Sequence, residues 1–374
     1  MRAFMVRLNV AIALLAATSV TGCASARGVP APFPRPGERP APPRSGTPPE
    51  PSPLAGHASG YAVTSTALAL RGTPYRNSGA DPSGFDCSGF VYYVFAQHGI
   101  AVPRTWPEFE QAARDLKAAA PDVRLSAFFT SSGPHFAGFA QQLGGQWFST
   151  AGGHWSLDFT DPGTMRVAEF WQRLVDEDLV RPVPLNSQQW QAGINNGTIA
   201  TYLDGAWAAA ALMRSNPDGA GKWAVAPLPQ WDPARPAVGV KGGSVFAITR
   251  DSKHPDAAME FLRWMVTDPE AFRARLSSGT SSMYPAAPDL ISVADEGFDR
   301  SYFNGQDIYA LFRREAATIP QGWVWGPRMT ATNEILEEGL ARVTYGDTIA
   351  EALERAQEES LPDMRALGLA VGAR

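Results

Sequence analysis

Cysteine, histidine and tryptophan are the residues of this chain whose chemistry is worth locating first. Cysteine occurs only at Cys23 and Cys87 among 374 residues, so neither a multi-cysteine zinc site nor a disulfide framework can be built within the chain. Cys87 lies in Phe85-Asp86-Cys87-Ser88-Gly89-Phe90. With Asp86 as N-cap, its thiol falls in the first turn of a helix whose apolar face is Cys87, Phe90, Val91, Val94 and Phe95, and a helix N-terminus favours the thiolate that a nucleophile needs. A small core cysteine would show the same spacing. A nucleophilic cysteine also requires an imidazole close in space. The histidines are His57, His98, His135, His154 and His254.

All eleven tryptophans lie between Trp106 and Trp325. Planar aromatics stack on sugar faces, and polar neighbours can read hydroxyls, so the enrichment suits a carbohydrate site as well as an ordinary aromatic core. The Gly242-Gly243 pair would let a ligand approach the backbone closely, or would serve as a plain turn between lobes.

These residues need elements to hold them, and the pattern supplies an α/β set from Trp106 onward. Thr105 and Glu108 form a capping box ahead of the stripe Phe109, Ala112, Ala113 and Leu116. Asp161-Pro162 opens a second helix, with Val167, Phe170, Trp171, Leu174 and Val175 on one face. Ser244 to Thr249 reads as a strand. After Ser252 and Pro255 comes a helix carrying Ala258, Phe261, Leu262 and Met265. Thr348 and Glu351 box the last long helix, striped by Ile349, Ala352, Leu353 and Ala356.

Before Trp106 the composition is different. Arg2 and Arg7 precede and flank a short apolar run, Val10 to Val20, that reads as an export signal. Its end, Val20-Thr21-Gly22-Cys23, resembles the lipobox of bacterial lipoproteins, which implies lipidation of Cys23 and an anchored protein on the extracytoplasmic side of a bacterial membrane. Pro30 to Pro53 holds eleven prolines in twenty-four residues, a stalk that cannot build a core. A net charge of −5 provides no basic footprint for nucleic acid.

Gly72-Thr73-Pro74-Tyr75, Gly79 and Asp86-Cys87-Ser88-Gly89-Phe90 resemble the NlpC family of cell-wall cysteine endopeptidases. That resemblance implies a papain-like α+β fold acting on peptidoglycan, with Cys87 as nucleophile and Tyr75 on the substrate side. The family follows its cysteine with a strand-borne histidine about fifty residues on, and a second polar residue to orient it. His135 stands at that separation, but Gly133-Pro134-His135-Phe136 is no alternating strand, which leaves the fragment without a matching base.

Six further words resemble the sugar-binding lipoproteins that serve ABC importers. They are Val102-Pro103-Arg104-Thr105-Trp106 with Phe109-Glu110, Gly144-Gly145-Gln146-Trp147, Tyr202-Leu203-Asp204-Gly205-Ala206-Trp207, Lys241-Gly242-Gly243-Ser244, Lys253-His254-Pro255-Asp256-Ala257-Ala258 and Trp323-Val324-Trp325-Gly326-Pro327. The resemblance implies two α/β lobes closing on a sugar, with Trp207, Gly242, Gly243, Ser244 and Trp325 facing the ligand and Trp147 beside them.

The chain is therefore expected to be a fusion. Residues 1–23 are a lipoprotein signal, 24–56 a Pro-rich linker, 57–105 a truncated papain-like fragment, and 106–374 an incomplete two-lobe periplasmic-binding-protein-like region lacking its first segment. The expected function is impaired binding of a sugar or oligosaccharide for an ABC importer permease, without cofactor or metal. The alternatives are a Cys87 endopeptidase acting on peptidoglycan with His135 as base, and a chain with no competent site.

Overall fold

The computed structural model describes residues 69–74, 76, 80–85, 102–276 and 281–373. The expectations for Cys23, Tyr75 and Cys87, and for the signal and the stalk, lie outside these residues.

Strands β1 (Ala80–Asp81) and β2 (Gly84–Phe85) form a small antiparallel pair. Helix α1 (Trp106–Ala119) begins at the expected capping box, with Thr105 and Glu108 exchanging side-chain-to-backbone hydrogen bonds, and buries Trp106, Phe109, Ala112 and Ala113. Strand β3 (Ser126–Phe129) leads into α2 (Gly133–Gln142), which starts on Gly133-Pro134. Strands β4 (Phe148–Ser149) and β5 (Trp155–Leu157) pair antiparallel before α3 (Pro162–Asp176). Asp161 caps α3 by accepting from the amides of Gly163 and Thr164, and the helix buries Val167, Phe170, Trp171 and Leu174 as its spacing predicts.

Strand β6 (Val180–Val183) returns parallel to β3, in register from Ser126 opposite Val180 to Phe129 opposite Val183. Successive strand side chains point to opposite faces. Phe128 and Val180 accordingly join one core, with Trp106, Trp147 and Trp171. Ala127, Phe129 and Val183 join another, with Trp190, Phe272 and Tyr309. This two-stranded ribbon thus divides two cores.

Helices α4 (Gln188–Asn196) and α5 (Ala208–Ser215) belong to the second core; α6 (Pro255–Thr267) comes next and contributes no residue to it, whereas α7 (Pro269–Leu276), α8 (Ile291–Glu296) and α9 (Ile308–Ala316) do. Helices α10 (Met329–Arg342) and α11 (Ile349–Ala366) cross back to the first core. The Thr348–Glu351 box forms as expected, and Ile349, Ala352, Leu353 and Ala356 are buried. Strand β7 (Val371–Ala373) adds to β5 in parallel.

Two expectations are corrected. Ser244 to Thr249 is not a strand in the described structure; it is irregular, with Val245 91% and Phe246 52% exposed. A strand requires a neighbour for its backbone groups, and none of the described strands pairs with this stretch. Helix α6 forms where predicted, but none of its residues is fully buried. The lack of cover does not extend beyond α6: Phe272, Leu276, Leu290 and Phe298, which follow it in the chain, all enter the second core.

Candidate functional site

The word Tyr202 to Trp207 and the word at Lys241 meet in the fold, and an ion pair joins them. Lys241 Nζ lies 2.8 Å from Asp204 Oδ1. The same carboxylate accepts from the Gly205 amide at 2.7 Å and, through Oδ2, from the Tyr202 hydroxyl at 2.7 Å. The Asp204 side chain is 2% exposed, so a buried charge is balanced by a cation and two further donors. Burial and the adjacent Asp204 carboxylate push the Tyr202 hydroxyl far above its ordinary range, keeping it a donor.

Trp207 stands at the start of α5 with 44% of its surface exposed. Its indole lies against Gly205, where a Cβ would fall 2.5 Å from the ring, so a larger residue there would displace the indole from this position. The Lys241 ammonium is 5.9 Å from the ring centroid. Beyond Lys241, Gly242 adopts φ +143°, a conformation that side chains rarely take, and nothing lies within 4 Å of where a Cβ would project at Gly242 or Gly243. Ser244 is exposed. An open aromatic face, a clamped ammonium and bare backbone are together what a small polar ligand needs: a stacking surface, a donor and room.

The remaining tryptophans are placed differently. Trp325 is half-buried and edge-on to Trp323, at 5.2 Å between centroids. Trp323 packs in turn on Trp147 at 5.6 Å. The expectation that Trp147 faces a ligand is corrected: it is fully buried, and its Nε1 donates to Thr164 Oγ1 at 3.1 Å. It backs the Trp323–Trp325 pair. Beside Trp323 a cavity of about 60 Å³, lined by Gln141, Gly145, Gln146 and Pro320, has room for a water or two rather than a sugar ring.

His135 is neither on a strand nor at a surface. It sits in the first turn of α2, edge-on to Phe129 and Phe139 at 4.9 Å each, and its buried Nδ1 has no hydrogen-bond partner among the described residues. Burial, reinforced by the Lys241 charge, pushes its pKa down to about 3, so the ring is neutral at physiological pH. An imidazole caged by two phenyl rings is poorly placed to shuttle protons for a nucleophile.

Tyr202, Asp204 and Lys241 lie inside the words that resemble sugar-binding lipoproteins, but that resemblance assigns them no role. The available signal was an acidic residue within the otherwise uncharged run from Thr198 to Met213, and a lysine directly before two glycines.

Residues 60–271 match the family model described as bacterial extracellular solute-binding protein. The chain belongs to that family. The match begins upstream of Val102 and so overlaps the peptidase-like words. Over 229 residues this solute-binding chain is 24% identical to the lactose-binding protein of Rhizobium radiobacter, covering 58% of its own length and 50% of the relative's. It therefore spans about half of that protein. Its fold is similar to that of the galacto-N-biose-/lacto-N-biose I-binding protein of the ABC transporter from Bifidobacterium longum, solved with lacto-N-biose, at TM-score 0.62 and 27% identity, covering 74% of this chain and 68% of that one. The solute-binding chain thus has a periplasmic-binding-protein-like fold. A second similarity is short and N-terminal: 44 residues are 52% identical to a probable endopeptidase of Mycobacterium bovis, 12% of this chain and 11% of that protein.

Proposed function

We propose that the chain binds a neutral sugar or oligosaccharide, with Trp207 as the stacking surface and Gly242, Gly243 and Ser244 as the adjoining backbone wall. The observation that carries this reading is the exposed Trp207 indole beside the Lys241–Asp204 pair and open glycine backbone. The lactose- and lacto-N-biose-binding relatives favour a disaccharide with a terminal galactose. Trp325, propped by Trp323 and Trp147, is a second stacking face for a longer ligand. On the reading that the first lobe segment is replaced by a peptidase-like fragment, affinity is expected to be weaker than that of an intact two-lobe binder, since closure energy grows with the contacts both lobes make. Calorimetry with lactose and a panel of mono- and disaccharides tests the reading. Trp207→Ala should reduce a measured affinity by at least about 1 kcal/mol, and an unchanged affinity would remove Trp207 from the site.

The site belongs, on this reading, to an exported protein held at the extracytoplasmic face by a lipid on Cys23, delivering its sugar to an ABC importer permease. Detergent partitioning of the wild type and Cys23→Ser tests the anchor; recovery of the wild type wholly in the aqueous phase would dismiss it. The N-terminal similarity to endopeptidases favours descent of residues 57–105 from an NlpC-like enzyme. The placement of His135 between Phe129 and Phe139 argues against its serving Cys87. Incubation with peptidoglycan stem peptides should give no cleavage; cleavage abolished by His135→Ala would restore the peptidase reading.

A further inference from the structure

The contacts of Asp204 are arranged around one atom, Lys241 Nζ. Asp204 accepts from Gly205 and Tyr202, and its Oδ1 accepts from the lysine as well. An ammonium carries three donors, and one is spent on Asp204. The Lys241 side chain is 16% exposed, so the group is largely desolvated without being sealed. It lies within reach of the Trp207 ring and is followed at once by the bare backbone of Gly242 and Gly243. A surface lysine would sample many rotamers; this one is held in place on a carboxylate that is itself pinned from two other sides.

We infer that Lys241 is a ligand-contacting donor of the sugar site, aimed by Asp204 as a positioning residue, and that it selects a neutral hydroxyl-bearing ring rather than an acidic sugar. This inference rests on the proposed sugar site and adds to it the residue that reads the ring's edge. Lys241 Nζ lies over the Trp207 ring, 5.9 Å from its centroid, so a sugar packed on the exposed part of the indole meets the ammonium at its rim and can offer it a hydroxyl oxygen. The charge of Lys241 is already matched by Asp204, so a sugar carboxylate would gain little from the lysine and would be repelled by the aspartate. Hydroxyl lone pairs carry no such penalty, and a charge-assisted hydrogen bond to one of them is stronger than a neutral one.

Calorimetry on the full chain tests this with lactose, galactose, its 2-, 4- and 6-deoxy analogues and galacturonic acid. Wild type is expected to bind galactose at least about tenfold more tightly than galacturonic acid, and to lose a similar factor on one deoxy analogue. Lys241→Met should weaken galactose about tenfold and bind that same deoxy analogue no worse than galactose. A residue needed only for structure would weaken both sugars alike. Lys241→Arg, which keeps the pair with Asp204 and the donors, should recover part of the loss and guards against a misfolded methionine variant. Asp204→Asn should weaken galactose with less discrimination against galacturonic acid. Sugar binding that is unchanged in Lys241→Met, or a wild type that prefers galacturonic acid, overturns the role of Lys241 and leaves the sugar site standing. A wild type that binds none of these sugars removes both.

Discussion

Helices α1 and α6 are alike as sequences and different as structures. Each has a proline in its first turn, and each repeats apolar residues at helical spacing. In α1 the stripe is buried, and Trp106 alone meets Phe139, Phe170, Trp171 and Trp231 at 5.5 to 5.9 Å. In α6 the stripe is covered only in part: Ala258, Leu262 and Met265 are half-buried, Phe261 is 55% exposed, and Trp264 and Met259, which lie off the stripe, are 51% and 50% exposed. Periodicity therefore settles that a helix forms and which side is apolar. Whether that side becomes core depends on what the rest of the chain places opposite it.

The largest test of this contrast is truncation of one tryptophan on each helix. Trp106→Ala should destabilise the protein by about 3–5 kcal/mol, whereas Trp264→Ala should cost less than about 1 kcal/mol. Denaturant titration of both variants measures the difference, and equal costs would mean that α6 is covered in solution.

A second test uses acid. His135 is neutral in the folded protein to about pH 3, while an unfolded histidine takes up a proton near 6.5. Its contribution is whole above pH 6.5 and is lost as pH falls toward 3, at up to about 1.4 kcal/mol per pH unit. His135→Leu should flatten this part of the stability profile. A profile unaltered by the substitution would show that the imidazole is solvated.

Hydrogen exchange compares the same regions without mutation. Amides of α1, α3 and α11 should exchange near the global unfolding limit, and those of residues 244–249 and α6 much faster. Uniform protection would erase the distinction between the two regions.

The smallest effects are at the caps. Thr348→Ala, which dismantles the capping box of α11, should cost about 1 kcal/mol. Helix α6 starts from His254, whose side chain makes no capping bond. His254→Ser should stabilise it by no more than about 1 kcal/mol, read as a small shift in thermal midpoint.

Much of this architecture was legible in advance because its signals are local. The boxes at Thr105 and Thr348 and the Asp161-Pro162 start each involve residues within four positions, and all three formed as read. Ser244 to Thr249 failed because a strand is a relation between two segments, and its alternation said nothing of the second one. The separation between Cys87 and His135 suggested a base, while the nearer signal, Ser132-Gly133-Pro134, already marked a helix start. At the candidate site Trp207, Gly242 and Gly243 came from words of known vocabulary. The Lys241–Asp204 pair spans 37 positions, and no local pattern announces a partner at that distance. Trp147 was misplaced for the converse reason, since sequence cannot tell a tryptophan that supports a ligand-facing ring from one that is such a ring.

The end of α2 shows how an irregular stretch is kept from being an open edge. The Gln141 side-chain amide donates to the Val240 carbonyl at 2.8 Å and accepts from the Val240 amide at 2.9 Å, standing in for a neighbouring peptide. A few residues later Val245-Phe246-Ala247-Ile248 is apolar, uncharged and free of proline, with Val245 and Phe246 exposed. Segments of that composition stack readily between molecules as paired β-strands. The flanking Lys241, Arg250 and Asp251 act as charged gatekeepers on either side. These four residues are therefore one place where copies of the protein are expected to associate in concentrated solution, and a single charge introduced at Val245 should reduce that association while leaving both cores untouched.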